Sequence, residues 1–151
     1  MLPQSRPRFN TLRLGLLVSA AGWVISFTFT FASWNAAAGQ LTVMGAGWID
    51  YHPLLDYWLR MASSVFGCVG IGSALACLRP RAFMGFIQLL GPFHFVIGIT
   101  LVVAAWRNHL LPSLHPTFIP DITFCFATGT LIQLPLVKSW RTDGTTPVDP
   151  P

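Results

Sequence analysis

The sequence contains few charged side chains. Only 9% of its 151 residues are charged, and all five acidic residues are aspartate, so glutamate is missing altogether. A soluble domain normally carries about 25% charged residues. A deficit of this size argues against an ordinary soluble domain and indicates a chain that lives in an apolar solvent.

Cysteine is also scarce, and the familiar catalytic motifs are missing. The three cysteines, Cys68, Cys77 and Cys125, are an odd number inside apolar runs, which argues against a disulfide framework. The sequence has no motif of serine hydrolases, zinc proteases, thiol oxidoreductases, P-loop proteins or dinucleotide-binding proteins. We therefore predict no catalytic residue, no cofactor and no metal site, and we lean against an enzyme.

Hydrophobic residues are abundant, at 53% of the chain, and they are concentrated in four runs. The runs cover residues 12–34, 56–78, 83–106 and 118–137. Each is long enough to cross about 30 Å of hydrocarbon, which takes about 20 helical residues. Because backbone groups in lipid must bond to one another, the runs must be helices. The sequence predicts an all-α integral membrane protein, a four-helix bundle over residues 12–137 with polar tails at 1–11 and 138–151.

The basic residues predict the orientation of this bundle. One predicted side of the membrane holds Arg6, Arg8, Arg13, Arg79, Arg81, Lys138 and Arg141, and the other holds only Arg60 and Arg107. Cytoplasmic loops carry the excess of Lys and Arg, so both termini and both tails are predicted to be cytoplasmic. Because the basic residues lie at the ends of apolar runs, the net charge of +4 does not predict a nucleic-acid partner.

The first run has a second interpretation, as a cleaved signal peptide. Arg6 and Arg8 precede the apolar run, and Ala36-Ala37-Ala38 follows it in the manner of a cleavage site. The run is longer than the usual h-region of about 7–15 residues, which favours a membrane span.

Small residues recur at helical spacing in the first two runs. They are Gly15, Ser19, Gly22 and Ser26 in the first run, and Ser63, Gly67, Gly70 and Ala74 in the second. Small residues let membrane helices approach closely, so we predict that these two stripes touch each other. A homodimer seam is the alternative, and the sequence does not separate the two.

Two glutamines lie at similar predicted depths in the third and fourth runs. Gln88 precedes the pair Gly91-Pro92, and Gln133 lies near the end of the fourth run. Side-chain amides can bond across helices in membranes, for about 0.6–2 kcal/mol. We predict a hydrogen bond between Gln88 and Gln133.

His94 lies near the middle of the third run, at the predicted depth of Trp23, Cys68 and Thr128. Ionisable residues inside a membrane are functional hypotheses by default. One interpretation is a site for a ligand, a quinone or a proton, with neutral His94 as the hydrogen-bonding group. The other is a structural imidazole that donates to a carbonyl freed by Pro92.

Polar residues also gather at the predicted outer side. Asp56 and Arg60 are four residues apart on one helix face, whereas Arg107 ends the third run and Asp121 begins the fourth. We expect these four to form a charge network. It would act either as an interfacial clamp or as a pocket for an anionic or amphipathic ligand.

The order of these features resembles a known group of proteins. Asp56-Tyr57-Trp58-Leu59-Arg60 opens the second run, a glycine-rich stretch follows, Arg79-Pro80 turns into the third run, and Asp121 opens the fourth before an aromatic pair. This pattern is similar to small four-helix bacterial membrane proteins, loosely of the DoxX-like group, over residues 12–137. The resemblance implies a four-helix protein of the bacterial inner membrane and supplies no activity.

The expected function is that of a small, non-catalytic accessory or structural subunit of a membrane assembly. Its partners would be the lipid bilayer and other membrane proteins, or further copies of the chain. The alternative is a binding protein or membrane enzyme for a lipid, quinone or other hydrophobic ligand. That alternative would use His94, or the group of Asp56, Arg60, Arg107 and Asp121.

Overall fold

The structure is a computed structural model that describes residues 6–143, with side chains from residue 10 to residue 137. The predicted tail segments 1–5 and 144–151 lie outside the described residues, as do the side chains of Arg6, Arg8, Lys138 and Arg141. Within residues 6–143 every regular element is helical, and no strand is present. The all-α prediction is confirmed for this part of the chain.

Six helices follow one another within residues 6–143. They are α1 (Arg6–Ser26), α2 (Thr28–Phe31), α3 (Trp34–Val43), α4 (Pro53–Leu78), α5 (Met84–Arg107) and α6 (Phe118–Asp143). In the described part of the chain, four stretches are long and apolar enough to cross a membrane: Asn10–Phe31, Pro53–Leu78, Met84–Arg107 and Phe118–Val137. These four apolar helices indicate a multi-pass membrane protein.

The first apolar run differs from a single straight helix. A turn at Phe27 separates α1 from α2, and α2 ends at Phe31. The Ser33 hydroxyl then accepts a hydrogen bond from the Ala36 N–H at 3.3 Å and begins α3. Serine is a preferred N-cap because its oxygen satisfies a free N–H of the first turn. Trp34 therefore belongs to α3 rather than to the first span.

The helices pack in the order α4, α1, α6, α5. α1 packs along both α4 and α6, α5 packs along α6, and α4 and α5 touch only slightly. A cluster of buried apolar side chains, including Leu12, Leu16, Ile87, Leu90 and Ile132, fills the end that carries the turn between α4 and α5. We call this the short-turn end, and the opposite end, which carries residues 32–52 and 108–117, the long-loop end.

The two long loops meet at a glycine. Gly45 has a φ of 98°, in the left-handed region that favours glycine. A Cβ at this position would also collide with the carbonyl oxygen of Leu114 in the other loop. The contact therefore depends on glycine, and it brings Gly45 against the backbone of Leu114 and His115.

Candidate functional site

His94 lies in the interior, where α1, α5 and α6 meet. Its side chain is 1% exposed. The Trp23 ring lies 5.7 Å from the His94 ring, and the Phe124 ring lies 5.9 Å from it, between centroids. Gly129 makes the approach of α6 possible, because a Cβ there would lie 3.2 Å from the His94 Cβ. The histidine is thus enclosed by two aromatic rings and a helix backbone.

Both ring nitrogens of His94 have partners inside the protein. Nδ1 lies 2.8 Å from the Leu90 carbonyl oxygen, and the Trp23 indole N–H donates to Nε2 at 3.0 Å. An indole N–H can only donate, so Nε2 must be the acceptor and Nδ1 must carry the proton. The geometry therefore defines a neutral imidazole that uses its one donor and its one acceptor within the protein.

Two serines extend this polar group towards α4. The Ser73 hydroxyl donates to its own helix at the Val69 carbonyl, 2.9 Å away, and the Ser19 hydroxyl lies 3.0 Å from the Ser73 oxygen. Since the Ser73 hydrogen is already used, Ser19 donates to Ser73. The 3.4 Å contact between Ser19 and His94 Nε2 is longer than the Trp23 bond and meets a lone pair already in use.

The three residues predicted at the depth of His94 have different surroundings. Trp23 bonds to it directly, whereas Cys68 is exposed on the surface of α4. Thr128 is fully buried on α6. His94 donates to the carbonyl of Leu90, one turn earlier on its own helix. The carbonyl freed by Pro92 is that of Gln88, four residues before the proline, so the predicted bond to a freed carbonyl is not formed.

The predicted hydrogen bond between Gln88 and Gln133 is wrong. Gln88 is exposed on α5, while Gln133 points at α5 one turn away, at Gly91. A Cβ on Gly91 would lie 2.5 Å from Gln133 Oε1, so the glycine provides the room for this amide. Oε1 of Gln133 is buried without a hydrogen-bond partner. The sequence predicted only a similar depth for the two glutamines, and in the structure their side chains point in different directions.

The small residues of α4 lie against α1. Ser63, Gly67 and Gly70 are buried. A Cβ on Gly70 would lie 2.6 Å from the backbone nitrogen of Val24, and one on Gly67 would collide with the Phe27 side chain. Ala74, the last small residue of this stripe, is half-buried.

The small residues of α1 serve two neighbours rather than one. Ser19 faces Ser73 of α4, and Ser26 is half-buried. A Cβ on Gly15 would lie 3.0 Å from the side chains of Leu131 and Ile132, and one on Gly22 would collide with the Phe124 ring. Gly15 and Gly22 thus allow α6 to pack closely against α1. Sequence spacing could not reveal this division, because a stripe wide enough for two helices has the same period as a stripe for one.

Arg60 holds the end of α2 against α4. Its guanidinium pairs with the Asp56 carboxylate at 2.8 Å on the same helix. Nη1 also donates to the carbonyls of Phe29 at 2.8 Å, of Thr30 at 3.2 Å and of Ala32. These carbonyls lie at the C-terminal end of α2, where backbone oxygens lack helical partners and a positive charge is favourable.

The predicted four-member charge network is not formed. Arg107 and Asp121 are both exposed, and among the described residues the ion pair is the one between Asp56 and Arg60. Arg107 ends α5 and Asp121 lies in the first turn of α6, but no ion pair joins them. The structure therefore brings together Asp56 and Arg60 only.

Two cavities lie near the long-loop end. One of about 370 Å³ opens between α5 and α6 and is lined by Val102, Ala105, Trp106, His109 and Ile122 among others. The other, of about 120 Å³, lies between α3 and the loop that follows it. Neither cavity is lined by His94 or Arg60. Among the described residues, no three His, Cys, Asp or Glu side chains are placed to hold a metal ion.

Replacing Trp23 by phenylalanine is expected to lower the free energy of unfolding by about 1–2 kcal/mol. The smaller phenyl ring keeps the site aromatic, but His94 Nε2 becomes a buried acceptor without its N–H donor. Trp58→Phe is the matched control, since Trp58 is 52% exposed at the start of α4. Unfolding in a detergent titration should separate the two variants, and equal stabilities would contradict the bond to His94.

Comparison of the chain with protein-family models, with curated proteins and with solved structures found no match. The similarity to the DoxX-like group therefore depends only on the residues quoted from the sequence.

Proposed function

We propose that this protein is a non-catalytic four-helix bundle with both termini in the cytoplasm, and that it serves as an accessory or structural subunit of an assembly in the bacterial inner membrane. Its partners would be other membrane proteins, or copies of itself, within the lipid bilayer. Four apolar helices in an all-helical chain support the membrane part of this proposal.

The observation that carries the proposal is how two ionisable side chains of the spans, His94 and Arg60, use their hydrogen-bonding groups. His94 donates to the Leu90 carbonyl and accepts from the Trp23 indole N–H. The Arg60 guanidinium donates to Asp56 and to the carbonyls at the end of α2. Ligand pockets present a small number of polar groups to the ligand, and these groups fix its orientation. At His94 and Arg60 the polar groups bond within the protein instead, and the bonds to Trp23 and Phe29 hold α5 to α1 and α4 to α2.

The predicted topology has support from the exposed basic residues. Arg79 and Arg81 are both exposed in the turn at the short-turn end, as is Arg13 on α1 near the same end. Three cations at one end, against Arg107 and an internally paired Arg60 at the other, follow the distribution expected when the short-turn end is cytoplasmic.

One observation favours the alternative, a site for a hydrophobic ligand. The cavity of about 370 Å³ between α5 and α6 has the size of small ligand pockets, and apolar and aromatic side chains line it beside His109. Such a ligand would bind at the long-loop end and would not touch His94.

Purification from the native host in a mild detergent, followed by mass spectrometry of proteins and lipids, distinguishes the two functions. Ala105→Leu is the key variant, because Ala105 is buried in the cavity wall and the larger side chain fills the cavity. A subunit should retain a stoichiometric protein partner, or a defined homo-oligomer, in both the parent protein and the variant. A small molecule bound one-to-one by the parent and lost from the variant would contradict the proposal.

A further inference from the structure

Thr128 carries a buried hydroxyl that no group of the protein bonds. The side chain is completely buried on α6, and its Oγ1 has no hydrogen-bond partner. A hydroxyl kept from both water and protein partners costs free energy, so buried hydroxyls in folded proteins are nearly always bonded.

Other hydroxyls of the spans avoid this cost by bonding to their own helix. The Thr130 hydroxyl donates to the Phe126 carbonyl at 2.7 Å, and the Thr100 hydroxyl donates to the Val96 carbonyl at 2.9 Å. Such bonds to the preceding turn are the usual solution for threonine within a helix. Thr128 could use the Phe124 carbonyl in the same way but does not, so its hydroxyl is free for a partner elsewhere.

Neighbouring contacts place Thr128 on the α1 side of α6, at the level of Ser19. Phe124, one turn before Thr128, packs on Gly22 of α1, and Ile132, one turn after it, packs on Gly15. Residues four positions apart share a helix face, so Thr128 faces α1 between these two contacts. Ser19 lies midway between Gly15 and Gly22.

Ser19 has acceptor capacity left at this level. Its hydrogen goes to Ser73, because the Ser73 hydrogen goes to Val69. A hydroxyl oxygen has two acceptor lone pairs, and no described group donates to that of Ser19 once Trp23 is bonded to His94. Thr128 therefore supplies a free donor where Ser19 supplies a free acceptor.

We propose that Thr128 and Ser19 hold one internal water molecule between α1 and α6. The water accepts from the Thr128 hydroxyl and donates to the Ser19 oxygen. Buried waters occupy such places, where two to four polar groups lack partners. The site makes a continuous polar layer across the four spans, with Ser19 of α1, Ser73 of α4, His94 of α5 and Thr128 of α6.

Water contact with the Thr128 methyl group tests the site directly. In protein labelled with ¹³C at threonine methyls and held in detergent, an NMR cross-relaxation peak to water is expected at Thr128. Thr130 is the internal control, because its hydroxyl is bonded to Phe126 and its side chain faces outward. No peak at Thr128 above the level seen at Thr130 would overturn the proposal.

Thr128→Val and Thr130→Val give a second, independent measurement. Valine keeps the shape of threonine and removes the hydroxyl. If Thr128 binds a water, its replacement should lower the folded-to-unfolded ratio about fivefold, whereas an orphaned hydroxyl would be removed with no loss or with a gain. A Thr128→Val protein that is as stable as the parent, or more stable, would overturn the proposal.

Discussion

Replacing Gly70 by leucine is expected to separate α1 from α4 and to lower the free energy of unfolding by about 3 kcal/mol or more. A Cβ on Gly70 would lie 2.6 Å from the Val24 backbone nitrogen and 2.7 Å from the Val24 Cγ2. A side chain can rotate away from such a contact, but a helix backbone can only move as a whole. Overpacking usually costs about 1–3 kcal/mol and more where the backbone must shift.

Gly85→Leu is the matched control for this substitution. Gly85 is a helical glycine of α5, and a Cβ there meets nothing within 4 Å. The same change should therefore leave stability unaltered or raise it slightly, because glycine is a poor helix former. Unfolding titrations in detergent compare the variants. Equal losses for Gly70→Leu and Gly85→Leu would contradict the close approach of α1 and α4.

Replacing Arg60 by alanine is the second large effect, with an expected loss of about 3 kcal/mol. The change leaves Asp56 without its ion pair and uncaps the carbonyls of Phe29, Thr30 and Ala32. Hydrogen bonds to charged groups are worth about 1.5–3 kcal/mol each, and partial exposure of the pair reduces their sum. Loss of the guanidinium should also loosen the junction between α2 and α3.

Two further variants isolate the cause of that loss. Arg107→Ala removes an exposed arginine that has no ion-pair partner among the described residues, so it should change stability by less than about 0.5 kcal/mol. Arg60→Lys should fall between the parent and Arg60→Ala, because an ammonium group cannot serve a carboxylate and three carbonyls at once. If Arg60→Ala and Arg107→Ala behave alike, Arg60 does not clamp α2.

Composition and hydropathy were sufficient to predict the all-helical structure of residues 6–143 and its four membrane-length helices. A 20-residue apolar run in lipid has only the helix available, so this part of the fold follows from the solvent. The break at Phe27 did not follow, because the sequence around it is as apolar as a continuous span. Only the Ser33 cap, six residues later, gives a local signal that the chain starts a new helix.

The interior polar contacts were less predictable, because they depend on rotation about each helix axis. Depth counting gave the common level of Trp23 and His94, which the structure joins by a hydrogen bond. The same counting paired Gln88 with Gln133, which face different directions. The pairing of Asp56 with Arg60 could be predicted without knowing the rotation of the helix, because residues four apart lie on the same helix face.

The protonation state of His94 tests most directly whether the buried polar groups are structural. NMR of ¹⁵N-histidine-labelled protein should show His94 as a neutral ring with the proton on Nδ1. Its unprotonated Nε2 should correlate through the hydrogen bond with the Trp23 indole N–H. Both signals should stay unchanged when lipid and quinone extract from the host membrane is added. A proton on Nε2, or a shift of the His94 signals on addition of the extract, would show that the histidine is available to a ligand and would contradict the non-catalytic account.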